Sequence, residues 1–197
     1  MEPSDARLWE RAHAGDSDAF GALFERHAKL VYNFCFRRVG NWATAEDLLV
    51  LVFLEGWRRR DKKLPPYKVL PWLLGIANNV VRNQRRTERR YGSALRRISL
   101  PQPEPDFAET ADERLDDETR TQQALGLLRR LPQREQEVFV LCAVMELSYG
   151  DAALALSLPL GTVRSRLARA RAHLREVDAG FGHQQVENAT LEEARQP

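Results

Sequence analysis

Residues 93 to 117 read SALRRISLPQPEPDFAETADERLDD, with Pro101, Pro103 and Pro105 at alternate positions and almost no periodic apolar residues after Leu100. Proline removes a backbone donor and biases the residue before it away from helix, so this stretch is expected to be a linker that no single core can cross. The chain of 197 residues is therefore expected to fold as two small bodies. Their expected limits are 1–92 and 118–177, with the flexible, Pro-rich acidic linker at 93–117 and an acidic tail at 178–197.

On both sides of the linker the apolar period is helical. Phe20, Leu23, Phe24, His27, Val31 and Phe34 recur at i, i+3, i+4 and i+7 behind Asp16 or Ser17 as N-cap. Val138, Leu141, Cys142 and Met145 repeat the pattern after Pro132, which suits a first helical turn. No run of strict alternation is bounded by turn residues, so the expected class is all-α. Bodies this small bury about 60–65% of their unfolded surface, which leaves each dependent on partners. The tail lacks a helical stripe and is expected to be disordered.

A net charge of +2 conceals segregation: residues 1–92 carry a net +6, 93–120 a net −4, 121–175 a net +4 and 176–197 a net −4. Two basic blocks around an acidic connector favour a polyanion as partner. Of the 30 basic residues 26 are arginine, a bias that base composition of the genome also produces, and no function is taken from it. No apolar run approaches the roughly 20 residues of a membrane helix, and the start MEPSDARLWERAHAGDSD is acidic and polar, so a cytoplasmic location without a membrane segment is expected.

In the second body, Ser148-Tyr149-Gly150-Asp151 resembles a capping box opening a short helix with Ala152, Ala153 and Leu156 on its apolar face. The turn Ser157-Leu158-Pro159-Leu160-Gly161 leads into a longer helix in which Val163, Leu167, Ala170 and Leu174 form one stripe about 60° wide. Opposite lie the small residues Gly161, Ser165, Ala168 and Ala172, which let a helix sit deep in a groove. Arg164 and Arg169 border that strip where a helix-turn-helix reads base edges in the major groove, while Arg166, Arg171 and Arg175 are expected on phosphates. A solvated amphipathic helix with snorkelling arginines is the alternative; the small-residue strip and the capped helix before it argue against it.

The stretch LRRLPQREQEVFVLCAVMELSYGDAALALSLPLGTVRSRLARARAHLRE resembles the fourth conserved region of bacterial sigma factors of the extracytoplasmic-function group, most specifically in LSY and PLGTVRSRLARAR. The resemblance implies a helix that reads the minus-thirty-five promoter element through Gly161, Thr162, Arg164, Ser165, Arg166, Ala168, Arg169 and Arg171.

In the first body, Thr44-Ala-Glu-Asp47 is expected to cap a helix containing seven successive apolar residues, Leu48 to Leu54. Seven residues go almost twice around a helix, so part of this belt must be exposed or covered by another protein; a buried strand, suggested by Val50 and Val52, is the alternative. Arg58, Arg59, Arg60, Lys62 and Lys63 then run into Pro65-Pro66-Tyr67, and PWLLGIANNVVRNQRRTERRY follows as a helix. Trp57, Tyr67 and Trp72 offer π-faces to unstacked bases, Asn78, Asn79 and Asn83 offer amides to base edges, and Arg82, Arg85, Arg86, Arg89 and Arg90 offer charge to phosphates. Trp72, Leu73, Ile76 and Val80 also keep core spacing, so Trp72 is expected in the core rather than on a base.

AEDLLVLVFLEGWRR followed by PWLLGIANNVVRNQRR is similar to the second conserved region of the same family. That implies docking on the clamp helices of core RNA polymerase through Glu46, Asp47, Leu48, Val50, Leu51 and Leu54, with a further contact of the second body on the flap. It also implies minus-ten recognition and melting by Arg58, Arg59, Lys62, Lys63, Tyr67, Asn78, Asn79, Arg82, Asn83, Arg85 and Arg86. The family usually carries a Gln-Glu pair where this chain has Val50 and Leu51. A more apolar docking surface, a covering anti-sigma factor and weak docking all accommodate the change. The implied partners are core polymerase, promoter DNA and an anti-sigma factor.

His13, His27, His173 and His183 lack ligand spacing, Cys35 and Cys142 stand apart without a CxxC, and no P-loop or nucleophile elbow is present. The acids Asp112, Glu113, Asp116, Asp117 and Glu118 sit where a helix dipole favours them. No metal, cofactor or catalytic residue is expected. Two rivals to a sigma factor stand: a stand-alone helix-turn-helix regulator, and a decoy that binds an anti-sigma factor without initiating transcription.

Overall fold

The computed structural model describes residues 3–61, 68–97 and 114–193, and every regular element among them is helical, as the periodicity predicts. The helices are α1 (Asp5–His13), α2 (Ser17–Val39), α3 (Trp42–Arg58), α4 (Val69–Arg97), α5 (Arg114–Arg130), α6 (Gln133–Phe139), α7 (Tyr149–Leu156) and α8 (Leu160–Glu193). A π-helical turn, Val140–Val144, extends α6.

Side-chain caps set the starts. Asp16 Oδ1 accepts from the amides of Asp18 and Ala19 at 3.0 Å and opens α2. Gly40, in the left-handed region at φ 70, closes it, as a residue without a Cβ does at low cost. The start of α3 differs from expectation: Asn41, not Thr44, is the cap, because its Oδ1 accepts the Thr44 amide at 2.8 Å and places Thr44 inside the first turn. Pro132 likewise stands at the cap of α6, one position before its first turn.

Helices α1 to α4 enclose the first core, which includes Leu8, Leu23, Val31, Phe34, Leu48, Val52, Leu73 and Ile76. Trp72 belongs to this wall, its ring edge-on to Trp9 at 4.8 Å. Helices α6 to α8 enclose Val138, Leu141, Val163, Leu167 and Ala170, while α5, with Leu125 and Leu128 buried, lies against α2. The two bodies do not stay apart: α4 packs along α7, and α2 touches α5. Each small lobe thus covers part of its surface with the other.

Two expected boundaries move. Helix α4 runs through Ser93 to Arg97 and α5 begins at Arg114, so both ends of the expected linker are helical, and 98–113 lie outside the described residues. The expected disordered tail carries helical backbone from α8 to Glu193, because its alanine, glutamine and glutamate residues favour helix and no proline interrupts them before Pro197.

Candidate nucleic-acid interface

The stripe on α8 is buried as its spacing predicts: Val163, Leu167 and Ala170 face α6, and Leu174 is half-buried. Gly161, Arg164, Ser165, Ala168, Arg169, Arg171 and Ala172 are exposed, while Thr162 and Arg166 are half-buried. Ser165 Oγ donates to the Thr162 carbonyl at 3.1 Å, which keeps the hydroxyl against the backbone and the strip shallow. Helix α7 is capped by Ser148, whose Oγ accepts the Asp151 amide at 3.1 Å and donates to Asp151 Oδ2 at 2.7 Å. The second half of the expected capping box is replaced, since Asp151 turns to Lys68 of the other lobe. Ser157, at φ 52, ends α7 and re-aims the chain into α8.

On α4, Asn79, Arg82, Asn83 and Arg86 are exposed and Arg85 is half-buried. Asn78 departs from the expected base-reading role: it is 2% exposed, and its Oδ1 has no hydrogen-bond partner. One turn before Arg82 on α4, it falls on the face that the core covers. Arg58 is exposed, and Arg59 is tied to Glu55 on its own helix. Trp57 offers no open π-face either, packing against Phe20 at 5.3 Å with the Arg60 guanidinium 4.1 Å over its ring. Lys62, Lys63 and Tyr67 lie outside the described residues.

Arginines of both lobes meet in one open cleft of about 860 Å³. Arg82, Arg85, Arg86 and Arg89 of α4 line one side, and Arg134, Arg166 and Arg169 the other. At its base the lobes are joined by charge. Arg82 Nε and Nη2 donate to the two oxygens of Glu137 at 2.7 and 2.5 Å. Arg38 Nη2 stands 3.6 Å from Glu137 Oε1, and both side chains are fully buried. Arg85 Nη1 donates to Gln136 Oε1 at 2.8 Å and its Nη2 donates to the Arg38 carbonyl. Burial, aided by the neighbouring Arg85 charge, pushes the Arg38 guanidinium down to about 9. The Glu137 hydrogen bond holds Arg82 above its ordinary value.

Sequence reasoning missed Arg38 and Glu137. Arg38 was findable, because it falls seven residues after Val31 and four after Phe34, on the buried face of α2. Glu137 carries no such signal, since its partners Arg38 and Arg82 come from the other lobe.

The belt on α3 divides by angle. Leu48, Val52 and Phe53 are core, while Val50, Leu51 and Leu54 are 55%, 49% and 49% exposed, beside exposed Glu46 and Asp47. Leu48 therefore leaves the expected polymerase set: its position faces α2, and a partner cannot reach it. Around the corner, Trp42 is exposed and stacks on Phe36 at 3.8 Å, and with Arg37 and Leu128 both rings line a hollow of about 450 Å³ between α2, α3 and α5. Among the described residues no three His, Cys, Asp or Glu side chains converge as a metal site, and no helix is long and apolar enough to cross a membrane.

Two arginine-rich helices, α4 and α8, the latter the second helix of a helix-turn-helix, thus line one basic cleft. Known proteins give the particular family. Residues 23–91 match the family model described as Sigma-70 region 2, and residues 121–174 match Sigma-70, region 4. RNA polymerase sigma factor CarQ of Myxococcus xanthus is 34% identical over 168 residues, covering 85% of this chain and 94% of that protein. ECF RNA polymerase sigma factor SigW of Bacillus subtilis is 29% identical over 185 residues, covering 89% and 97%. In fold, the structure of CnrH in complex with the cytosolic domain of CnrY aligns at a TM-score of 0.68 and 24% identity over 90% of this chain and 99% of that one. The chain belongs to the sigma-70 family of RNA polymerase sigma factors, in its extracytoplasmic-function group, and so directs promoter-specific transcription.

Proposed function

We propose that α8 reads the minus-thirty-five element and α4 binds the minus-ten element, while α3 docks on core polymerase. The observation that carries this reading is the division of α8 into a buried stripe, Val163, Leu167 and Ala170, and an open face with Arg164, Ser165, Ala168 and Arg169. Small side chains bring that face close to base edges, and the two arginines can pair with guanine. Arg171 lies further along the exposed surface and would hold a phosphate.

On α4, Asn79, Arg82, Asn83, Arg85 and Arg86 supply the strand contacts, with Arg58 and Arg59 flanking them and Lys62, Lys63 and Tyr67 assigned by sequence alone. Capturing unstacked bases costs a few kcal/mol per step, offset by stacking and phosphate contacts. The work is done by binding, without a catalytic residue or cofactor. Glu46, Asp47, Val50, Leu51 and Leu54 form the polymerase surface, apolar where Val50 and Leu51 replace the polar pair usual in the family. An anti-sigma factor would compete for that face.

Run-off transcription with bacterial core polymerase, with and without this chain, tests the reading. Promoter-specific transcripts and co-elution with core under mild salt are expected. Duplex binding by the chain alone, with no response from polymerase, would make it a stand-alone regulator instead.

A further inference from the structure

Three guanidinium groups converge at the seam between the lobes, those of Arg38, Arg82 and Arg85; the Glu137 charge reaches all three, while Glu88 of α4 acts on Arg85 alone. Arg38 is 1% exposed, and none of its guanidinium nitrogens has a hydrogen-bond partner. Glu137 comes from α6 of the other lobe, so parting the lobes removes the carboxylate and leaves three convergent cations facing the gap. Arg38 is fixed in place by burial, Arg85 is half-buried and its Nη2 is tied to the Arg38 carbonyl, so these like charges cannot move far apart. They will draw in another oxyanion. Arg82 already grips the carboxylate with both arms, and the same planar fork fits two oxygens of a phosphate.

We propose that Arg38, Arg82 and Arg85 form a receptor for a single oxyanion, that the Glu137 carboxylate fills it while the lobes are closed, and that a backbone phosphate of the promoter strand replaces it when they part. The proposal rests on the reading of α4 as the minus-ten helix. It adds Arg38 as a phosphate-binding residue and makes Glu137 an internal competitor of DNA. While Arg82 holds Glu137 its fork is unavailable to a strand, so free chain binds DNA poorly until another contact opens the seam.

The test uses the full chain and a short fluorescent single-stranded DNA oligonucleotide, read by anisotropy. Glu137→Gln is expected to bind it about tenfold more tightly than wild type, with a salt dependence steeper by about 0.7 in log K against log salt, the increment for one added phosphate contact. The double variant Arg38→Met, Glu137→Gln is expected to lose that gain. Should Glu137→Gln fail to fold, Glu137→Asp, which withdraws the carboxylate by one methylene, is read by the same two criteria. Unchanged affinity in the single variant, or undiminished affinity in the double, overturns the receptor. Run-off transcription by wild type, measured in parallel, separates the two readings: transcription without the affinity gain sinks the receptor alone, and the gain without transcription sinks the promoter assignment alone.

Discussion

Gly75 of α4 faces the backbone of Ala155 on α7 so closely that a Cβ at position 75 would stand 2.6 Å from the Ala155 carbonyl oxygen. The neighbour is backbone rather than a flexible side-chain tip, so it cannot step aside. A missing methyl group therefore sets the distance between the lobes, and Lys68–Asp151 and Arg82–Glu137 close the seam around it.

Gly75→Ala is expected to push α7 off α4 while leaving each lobe folded, at a cost of about 1–3 kcal/mol as in other overpacked contacts. Hydrogen exchange in α7 should accelerate and the radius of gyration by small-angle scattering should rise. Exchange as slow as wild type would show that the helices do not meet in solution as described.

Val50→Asp and Leu54→Asp are expected to shift stability by no more than about 0.5 kcal/mol, because half of each side chain is already in water. Leu48→Ala, in the core between α2 and α3, is expected to cost about 2–5 kcal/mol. The two surface variants should nonetheless lower affinity for core polymerase at least tenfold in a co-elution or anisotropy assay. Retained affinity would remove α3 from the docking surface.

Arg164→Ala is expected to cost about 1–3 kcal/mol on a matched promoter and to relax one base preference, whereas Arg171→Ala weakens matched and mismatched promoters alike. Both residues are exposed, so their effect on folding should be slight. The assignment of the two faces fails if both changes act identically on the two promoters.

Acid should loosen the seam. Burial raises the Asp151 carboxyl, but the hydrogen bonds from Lys68 and Ser148 outweigh it and hold the group below its ordinary value. A depressed carboxyl contributes stability that is full above the unfolded value near 3.9 and is lost as pH falls through the lower folded value. Thermal melts of wild type across pH 2 to 5 should show this loss, and Asp151→Asn should flatten it. An acid limb unchanged in Asp151→Asn would place the titration elsewhere.

How much of this was written in the sequence depends on how local its cause is. The stripe of Val163, Leu167 and Ala170 and the exposure of Val50, Leu51 and Leu54 follow from the angle between successive residues, so counting finds them. Asp16 and Ser148 as caps follow from side-chain chemistry a few residues away. Asn78 was misjudged because an asparagine in a basic helix is ordinarily a surface residue, and only the neighbouring helices decide that this one is covered. Glu137 was invisible for the same reason at longer range: its meaning comes from Arg38, 99 positions earlier in the chain. The expected tether failed at its edges because proline marks where a helix cannot continue, not how far the flanking helices extend.

The stacked indole of Trp42 has a practical consequence. It borders the hollow that α5 shares with α2 and α3, whereas Trp9 is buried and Trp57 and Trp72 are partly shielded within the first lobe. With Trp9, Trp57 and Trp72 replaced by Phe, its emission becomes an optical gauge for separation of the halves, readable without any attached dye.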